Sequence, residues 1–376
     1  MAALCATAIA VLPAAPAHAD RIRDDQWHLR YLKVAEAHKL SQGAGVTVAV
    51  IDTGVAPHPD LQNNLLNGTD TIPGGSGDGR QDAASHGTGM AGLIGAHGNG
   101  GSNGALGIAP KAKILPIRYA TSPGDGDPDR FADGIEWAIT QNARVISASV
   151  GGSTSPKLTQ AVRAAVEADI VVVAAAGNDP PDYGITFPAA LDGVVAVGAS
   201  DRNGNRAGIS VKGNKMGILA PGVDIYSTSI NGNYGKGTGT SLSTAIVAGA
   251  AALIRSRYPE LSAEEVVHRL TATAVDKGPP GHDDEYGDGV LDLMAALTAD
   301  VPPLAASATP SASAATSPSA TAAAEPLPDD APRGMSTGTL LSVFAVFLVL
   351  AIVVALLVVR SHRRAAGRGA PPVDPG

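Results

Sequence analysis

The chain has 376 residues, 45 of them glycine, with only 3% aromatic residues and a formal net charge of −8. That length supports one large domain with a substantial buried core, and the glycine-rich, aromatic-poor balance favours tight turns and close packing of small residues, as in α/β enzymes, over an aromatic-rich sandwich. An acidic chain without a long lysine or arginine run in its central region excludes nucleic acid as a partner.

Residues 1–19 are rich in Ala, Leu, Val and Ile and close on Ala17-His18-Ala19, which reads as a secretory signal peptide with a small-x-small cleavage site. No Lys or Arg precedes Arg21, so the positive leading region is missing and the expectation is a true start further upstream. The single cysteine, Cys5, falls in this segment. The body is therefore expected to have no disulfide, zinc–cysteine site or cysteine nucleophile, although an exported protein is free to form disulfides. Residues 20–42 follow as an N-terminal extension, too short for a separate inhibitory pro-domain and expected to wrap onto the body.

The body, residues 43–300, alternates two patterns. Runs at 46–51 (VTVAVI), 114–117, 145–149, 170–175 and 194–197 are almost continuously apolar, as in strands buried on both faces of a parallel sheet. Helical patterns occupy 130–140, 158–168, 246–258 and 263–273. The alternation predicts an α/β domain of three layers with a central, mostly parallel sheet. In such sheets sites form beyond the carboxyl ends of strands.

Residues 301–338 are rich in Pro, Ala and Ser, with few large apolar side chains, and read as an extended linker. Residues 339–359 are apolar and uncharged. About 21 residues at roughly 1.5 Å rise each span a bilayer core of about 30 Å, so a single C-terminal transmembrane helix is expected. Arg360, Arg363, Arg364 and Arg368 in the tail, residues 360–376, place that end in the cytoplasm under the positive-inside rule and the body outside the cell membrane.

Four places in the body carry chemistry. Asp52 ends the first strand, where a carboxylate is costly unless paired. His86, in Ser85-His86-Gly87-Thr88, opens a helix of small residues; His58, between prolines, and His97, in a Gly/Asn loop, lack that setting. Asn178 follows the strand at 170–175 and can donate to an oxyanion. Ser241, in Gly239-Thr240-Ser241, stands at the start of a long small-residue helix, where the dipole and free N–H groups favour negative charge. Taken singly, each also fits a turn or cap residue. The P-loop pattern and His-Glu-x-x-His are absent, and the Gly-x-Ser-x-Gly elbow of α/β-hydrolases fails at Ser243.

In the order Asp, His, Asn, Ser, these residues and their surroundings resemble the subtilisin-like serine peptidases, over roughly residues 43–298. The resemblance implies a catalytic triad of Asp52, His86 and Ser241, with Asn178 and the Ser241 backbone N–H forming the oxyanion hole. It further implies an acyl-enzyme intermediate and a polypeptide substrate held along Ser149, Val150 and Gly151 by main-chain pairing. Gly287-Asp288-Gly289-Val290-Leu291-Asp292 resembles the segment that closes the domain in this family. Asp25-Gln26-Trp27-His28-Leu29, the peptidase body, the stalk and one helix together look like the mycosins, which implies the type VII secretion machinery as a partner and exported or cell-surface proteins as substrates. A structural role in a membrane complex stays open beside proteolysis. Ala245 stands where the family usually has proline, which predicts a small effect on stability, and mycosins commonly carry disulfides, which this body cannot. No cofactor or metal is expected; His58-Pro59-Asp60-Leu61 resembles a family segment whose aspartate often ligates calcium, but one carboxylate does not supply the six to eight oxygens such an ion takes.

Overall fold

The computed structural model describes residues 19–100 and 103–304. Of the expected segments, the signal peptide at 1–19 apart from Ala19, the linker at 301–338 beyond residue 304, the transmembrane helix at 339–359 and the tail at 360–376 lie outside the described residues. Among the described residues no helix is long and apolar enough to cross a membrane.

Three short helices come first among the described residues: α1 (Ala19–Asp25), α2 (Trp27–Tyr31) and α3 (Val34–Ala37). The body then runs β1 (Thr47–Asp52), β2 (Thr69–Asp70), α4 (His86–Gly95), β3 (Lys113–Arg118), α5 (Pro128–Thr140), β4 (Val145–Ala148), α6 (Pro156–Glu167), β5 (Val171–Ala175) and β6 (Val194–Ser200). It ends with β7 (Ile218–Pro221), β8 (Ile225–Thr228), β9 (Tyr234–Gly237), α7 (Thr240–Arg257), α8 (Ala263–Ala272) and α9 (Leu293–Thr298).

The seven strands β1 to β7 form one sheet in the order β2-β3-β1-β4-β5-β6-β7, parallel throughout. β8 and β9 make a separate antiparallel pair. The continuous apolar runs are explained by burial on both faces. In β1, Val48 and Val50 join the core under α4, α7 and α8, while Ala49 and Ile51 join the core under α5 and α6. In β5, Val171 and Val173 face the first core, Val172 and Ala174 the second. Two cores flanking one sheet give the three layers that the alternation predicts.

The helices begin where side chains can satisfy their free N–H groups. Asp127 accepts from Asp129 N and Arg130 N ahead of Pro128, and Ser155 accepts from Leu158 N ahead of Pro156. Ser262 and Glu265 form a capping box at α8. α7 is different: it is buried almost all round, so it has no polar face, and small residues let it lie against the sheet strands β1, β4, β5, β6 and β7. The pattern places its start near residue 246, but the helix begins six residues earlier at Thr240, because its first turn is built into the site.

The N-terminal extension wraps onto the body. The Gln26 amide donates to Leu106 O (3.1 Å) and Tyr226 O (3.2 Å) and accepts from Leu106 N (2.8 Å). Trp27 Nε1 donates to Val223 O (3.0 Å). Residues from 80 to 200 positions away are thereby stitched to one short segment. At the other end, Val290 bridges both Leu219 and Val275, so the segment 287–292 closes the sheet beside β7.

Candidate active site

The site lies beyond the carboxyl ends of β1, β4 and β5, where strand order turns outward in both directions from β1. Asp52 is the last residue of β1 and fully buried. His86 is the first residue of α4. Its Nδ1 meets Asp52 Oδ1 at 2.7 Å. Thr53 N also donates to Asp52 Oδ1 at 2.7 Å, while Asp52 Oδ2 has no hydrogen-bond partner among the described residues. Burial pulls the His86 ring toward its neutral form, but the Asp52 charge, the hydrogen bond to Asp52 and the nearby Asp82 charge outweigh it, and the ring titrates above the ordinary histidine value.

Ser241 is the second residue of α7, in the first turn, where backbone N–H groups have no intrahelical acceptor. Its hydroxyl donates to Ser149 O at 2.8 Å, and the Ser149 hydroxyl donates back to Ser241 O at 3.0 Å. No hydrogen bond joins Ser241 to His86 among the described residues; both side chains line one groove of about 610 Å³. Asn178 lines the same groove. Its Oδ1 accepts from Thr240 N (3.0 Å) and Thr240 Oγ1 (3.3 Å), which fixes the amide orientation. Nδ2 is left as a donor without an acceptor among the described residues. Asp182 Oδ2 accepts from Asn178 N at 2.8 Å and holds the loop in place.

Ser149, Val150 and Gly151 also line the groove. The ladder of β4 ends at Ala148, one residue before the apolar pattern stops. Residues 149–151 continue in line, and Gly152 then pairs with Phe187. Gly151 packs so closely on Thr186 that a Cβ would stand 2.3 Å from its Oγ1.

The two competing histidines, His58 and His97, are held in other places. His58 is buried, accepts from Asp60 N (3.0 Å) and bonds Asn233 O (3.0 Å). His97 is held by Gly98 O at 2.7 Å. Neither lines the groove. Asp60 is buried, and Ala105 N donates to its Oδ2 at 2.7 Å. The adjoining carbonyls of Asn103 and Gly104 receive the Arg23 guanidinium, at 2.9 and 3.3 Å. A lone carboxylate with a side-chain cation already on the neighbouring oxygens does not fit calcium, which needs a shell of free oxygen ligands. Among the described residues no group of three or more His, Cys, Asp or Glu is placed to hold a metal ion.

Reading by motif missed one feature of this site. Asp82 accepts from Thr53 Oγ1, from the backbone of Ala84, Ser85 and Thr88, and from Thr88 Oγ1. The only local signal is an acidic residue four places before the histidine.

A buried carboxylate on an imidazole, a serine at a helix start and a free amide donor in one groove define a serine hydrolase on an α/β scaffold. The profile of the Subtilase family, Peptidase S8, matches residues 43–289. The chain belongs to that family and is a serine-type endopeptidase. It is 42% identical over 260 residues to Subtilisin DY of Bacillus licheniformis, covering 68% of this chain and 92% of that one. Among solved structures it is similar to MycP1 from Mycobacterium smegmatis, with 30% identity, a TM-score of 0.66 and 78% and 88% of the two chains covered. It is also similar to the MycP3 protease from the type VII (ESX-3) secretion system, at 34% identity and a TM-score of 0.63, covering 76% and 90%.

Proposed function

We propose that this peptidase is mycosin-like and cleaves exported or cell-surface polypeptides through Asp52, His86 and Ser241. The observation that carries this reading is the 2.7 Å contact between His86 Nδ1 and Asp52 Oδ1 on the wall of a groove that Ser241 shares. Asp52 holds Nδ1 protonated and leaves Nε2 as the base. A rotation about the Ser241 Cα–Cβ bond takes the hydroxyl from Ser149 O to His86. Nε2 accepts the proton as Oγ attacks the scissile carbonyl, and the Asn178 amide and Ser241 N–H receive the oxyanion. The protonated ring gives its proton to the departing amine, leaving an acyl-enzyme that water hydrolyses. The main chain at Ser149, Val150 and Gly151 pairs with the extended substrate.

Association with type VII secretion machinery is supported by the likeness to MycP1 and MycP3 and by the docked Gln26-Trp27 segment. Anchoring by residues 339–359, with the body outside the cell and the C-terminus in the cytoplasm, rests on the apolar run and the arginines that follow it. The test is a fluorophosphonate probe and an unstructured protein substrate applied to native protein and Ser241→Ala. Loss of a subtilisin-type nucleophile lowers turnover by about 10⁶, so labelling and cleavage should vanish in the variant. Labelling that persists there would assign the nucleophile elsewhere.

A further inference from the structure

We propose that Asp82, acting with Thr53, is a positioning unit that clamps His86 onto Asp52 and adds a second negative charge beside the ring; the proposal rests on the triad reading above. Thr53 follows Asp52 in the chain, and Gly87 follows His86. One hydroxyl joins these two neighbours: Thr53 Oγ1 accepts from Gly87 N at 3.0 Å and donates its only hydrogen to Asp82 Oδ1 at 2.9 Å. With that hydrogen committed to Asp82, an oxygen lone pair is kept for Gly87 N. The same residue fixes Asp52 from its other side, through Thr53 N to Oδ1 at 2.7 Å.

The remaining bonds of Asp82 hold the start of α4. Oδ1 also accepts from Ala84 N (2.9 Å) and Ser85 N (3.0 Å), and Oδ2 accepts from Thr88 N (2.9 Å) and Thr88 Oγ1 (2.7 Å). Ser85 is left-handed, with φ of 65°, a conformation a serine keeps only when its surroundings impose it. Thr88 Oγ1 in turn accepts from Ala56 N at 2.9 Å, which ties in the chain beyond β1. Five donors on one ionised carboxylate at a helix N-terminus are a strong anchor. A neutral amide in its place offers one acceptor oxygen instead of two, so part of the set must be released.

The unit acts through His86 and not on substrate, because neither Asp82 nor Thr53 lines the groove. The ionised groups that raise the ring's affinity for a proton are Asp52 at the end of β1 and Asp82 before α4. Asp182 and Lys236 also line the groove and are kept native in every variant. β8, packed on α4, donates the hydroxyls of Ser227 and Thr228 to Gly89 O and Thr88 O.

The experiment compares full-length native protein, Asp82→Asn, Thr53→Val, Thr53→Ser and Ser241→Ala. kcat and KM are measured on fluorescein-labelled casein from pH 5 to 9, together with the fluorophosphonate labelling rate. Asp82→Asn should lower kcat by about 10- to 100-fold, the scale of a small misplacement of catalytic groups, with KM unchanged. Its acid limb of kcat/KM should move to lower pH, because removing a negative charge lets the ring lose its proton more readily. Thr53→Val should lower kcat with the acid limb in place, and Thr53→Ser should restore it. Native kcat and acid limb in both Asp82→Asn and Thr53→Val would overturn the proposal. If Asp82→Asn fails to fold, the Thr53 pair decides alone: native turnover in Thr53→Val overturns it, and a fall rescued by serine upholds it. Cleavage by Ser241→Ala would instead remove the triad reading, and the proposal with it.

Discussion

His28 offers a prediction whose size can be worked out. It sits in α2 with no exposed surface, and among the described residues neither ring nitrogen has a hydrogen-bond partner. Burial, helped by the Arg30 charge, pushes its pKa down to about 3. In the unfolded chain the ring titrates near its ordinary value of about 6.5. A depressed pKa means the unfolded state takes up the proton first. The stability tied to the neutral ring is therefore complete above pH 6.5 and is lost as the pH falls toward 3. Linkage gives a loss of about 2 kcal/mol at pH 5, about 3 kcal/mol at pH 4 and about 5 kcal/mol in full. The perturbation is His28→Leu in a Ser241→Ala background, which prevents self-cleavage during unfolding. Urea unfolding at a series of pH values from 4 to 7 gives each stability. Carboxylates titrate in the same range but are common to both proteins, so the difference between the curves isolates His28. The leucine variant should be the more stable at pH 7, because an unpaired buried polar group costs about 1–3 kcal/mol. Its advantage should then widen by about 2 kcal/mol on going to pH 5. Parallel curves would refute the reasoning, since they would mean that the ring is hydrated or protonated in the folded protein.

Other consequences are open to similar checks. A Cβ on Gly87 would stand 2.1 Å from Gly54 O and 3.0 Å from Asp52 Cβ, so Gly87→Ala must push α4 away from β1. Casein hydrolysis should fall about 100-fold, in line with misplacement of catalytic groups by about 1 Å, with the fold retained by circular dichroism. Asn178→Ala should lower kcat by about 10²–10³ while KM holds, and steady-state kinetics on a peptide substrate would separate the two. EGTA should leave the melting temperature unmoved, because the carbonyls of Asn103 and Gly104 already hold the Arg23 side chain. Arg23→Gln should cost about 1.5–3 kcal/mol, the range for hydrogen bonds to a charged group, measured by thermal unfolding with and without calcium.

Much of the scaffold was legible in one dimension. The five strands read from continuous apolar runs match β1, β3, β4, β5 and β6, because a strand covered on both faces has no place for a polar side chain. Helices α5, α6 and α8 could be read from amphipathic spacing. Four strands were missed: β2 has two residues, β7 ends in proline, β8 ends in Ser227-Thr228, and β9 is Tyr234-Gly235-Lys236-Gly237. Each takes its state from a neighbour's hydrogen bonds and not from its own composition. The start of α7 was missed for a related reason, since Thr240 and Ser241 are held by Asn178 and Ser149 from other elements.

By itself, the sequence determined the three-layer scaffold and the order of Asp52, His86, Asn178 and Ser241, since side-chain periodicity and the small residues around each motif are local properties of the chain. Only the tertiary structure decided which partners complete them. Asp82 is one loop aspartate among several until the end of β1 meets the start of α4. Arg23 is an ordinary helix arginine until the loop at 103–104 closes on it, and His28 one more histidine until its segment docks. The hydrogen-bond partners that define these residues lie between 29 and 81 positions away for Thr53 with Asp82 and for Arg23 with Gly104. No periodicity encodes a contact between segments that far apart; it exists once packing has brought them together.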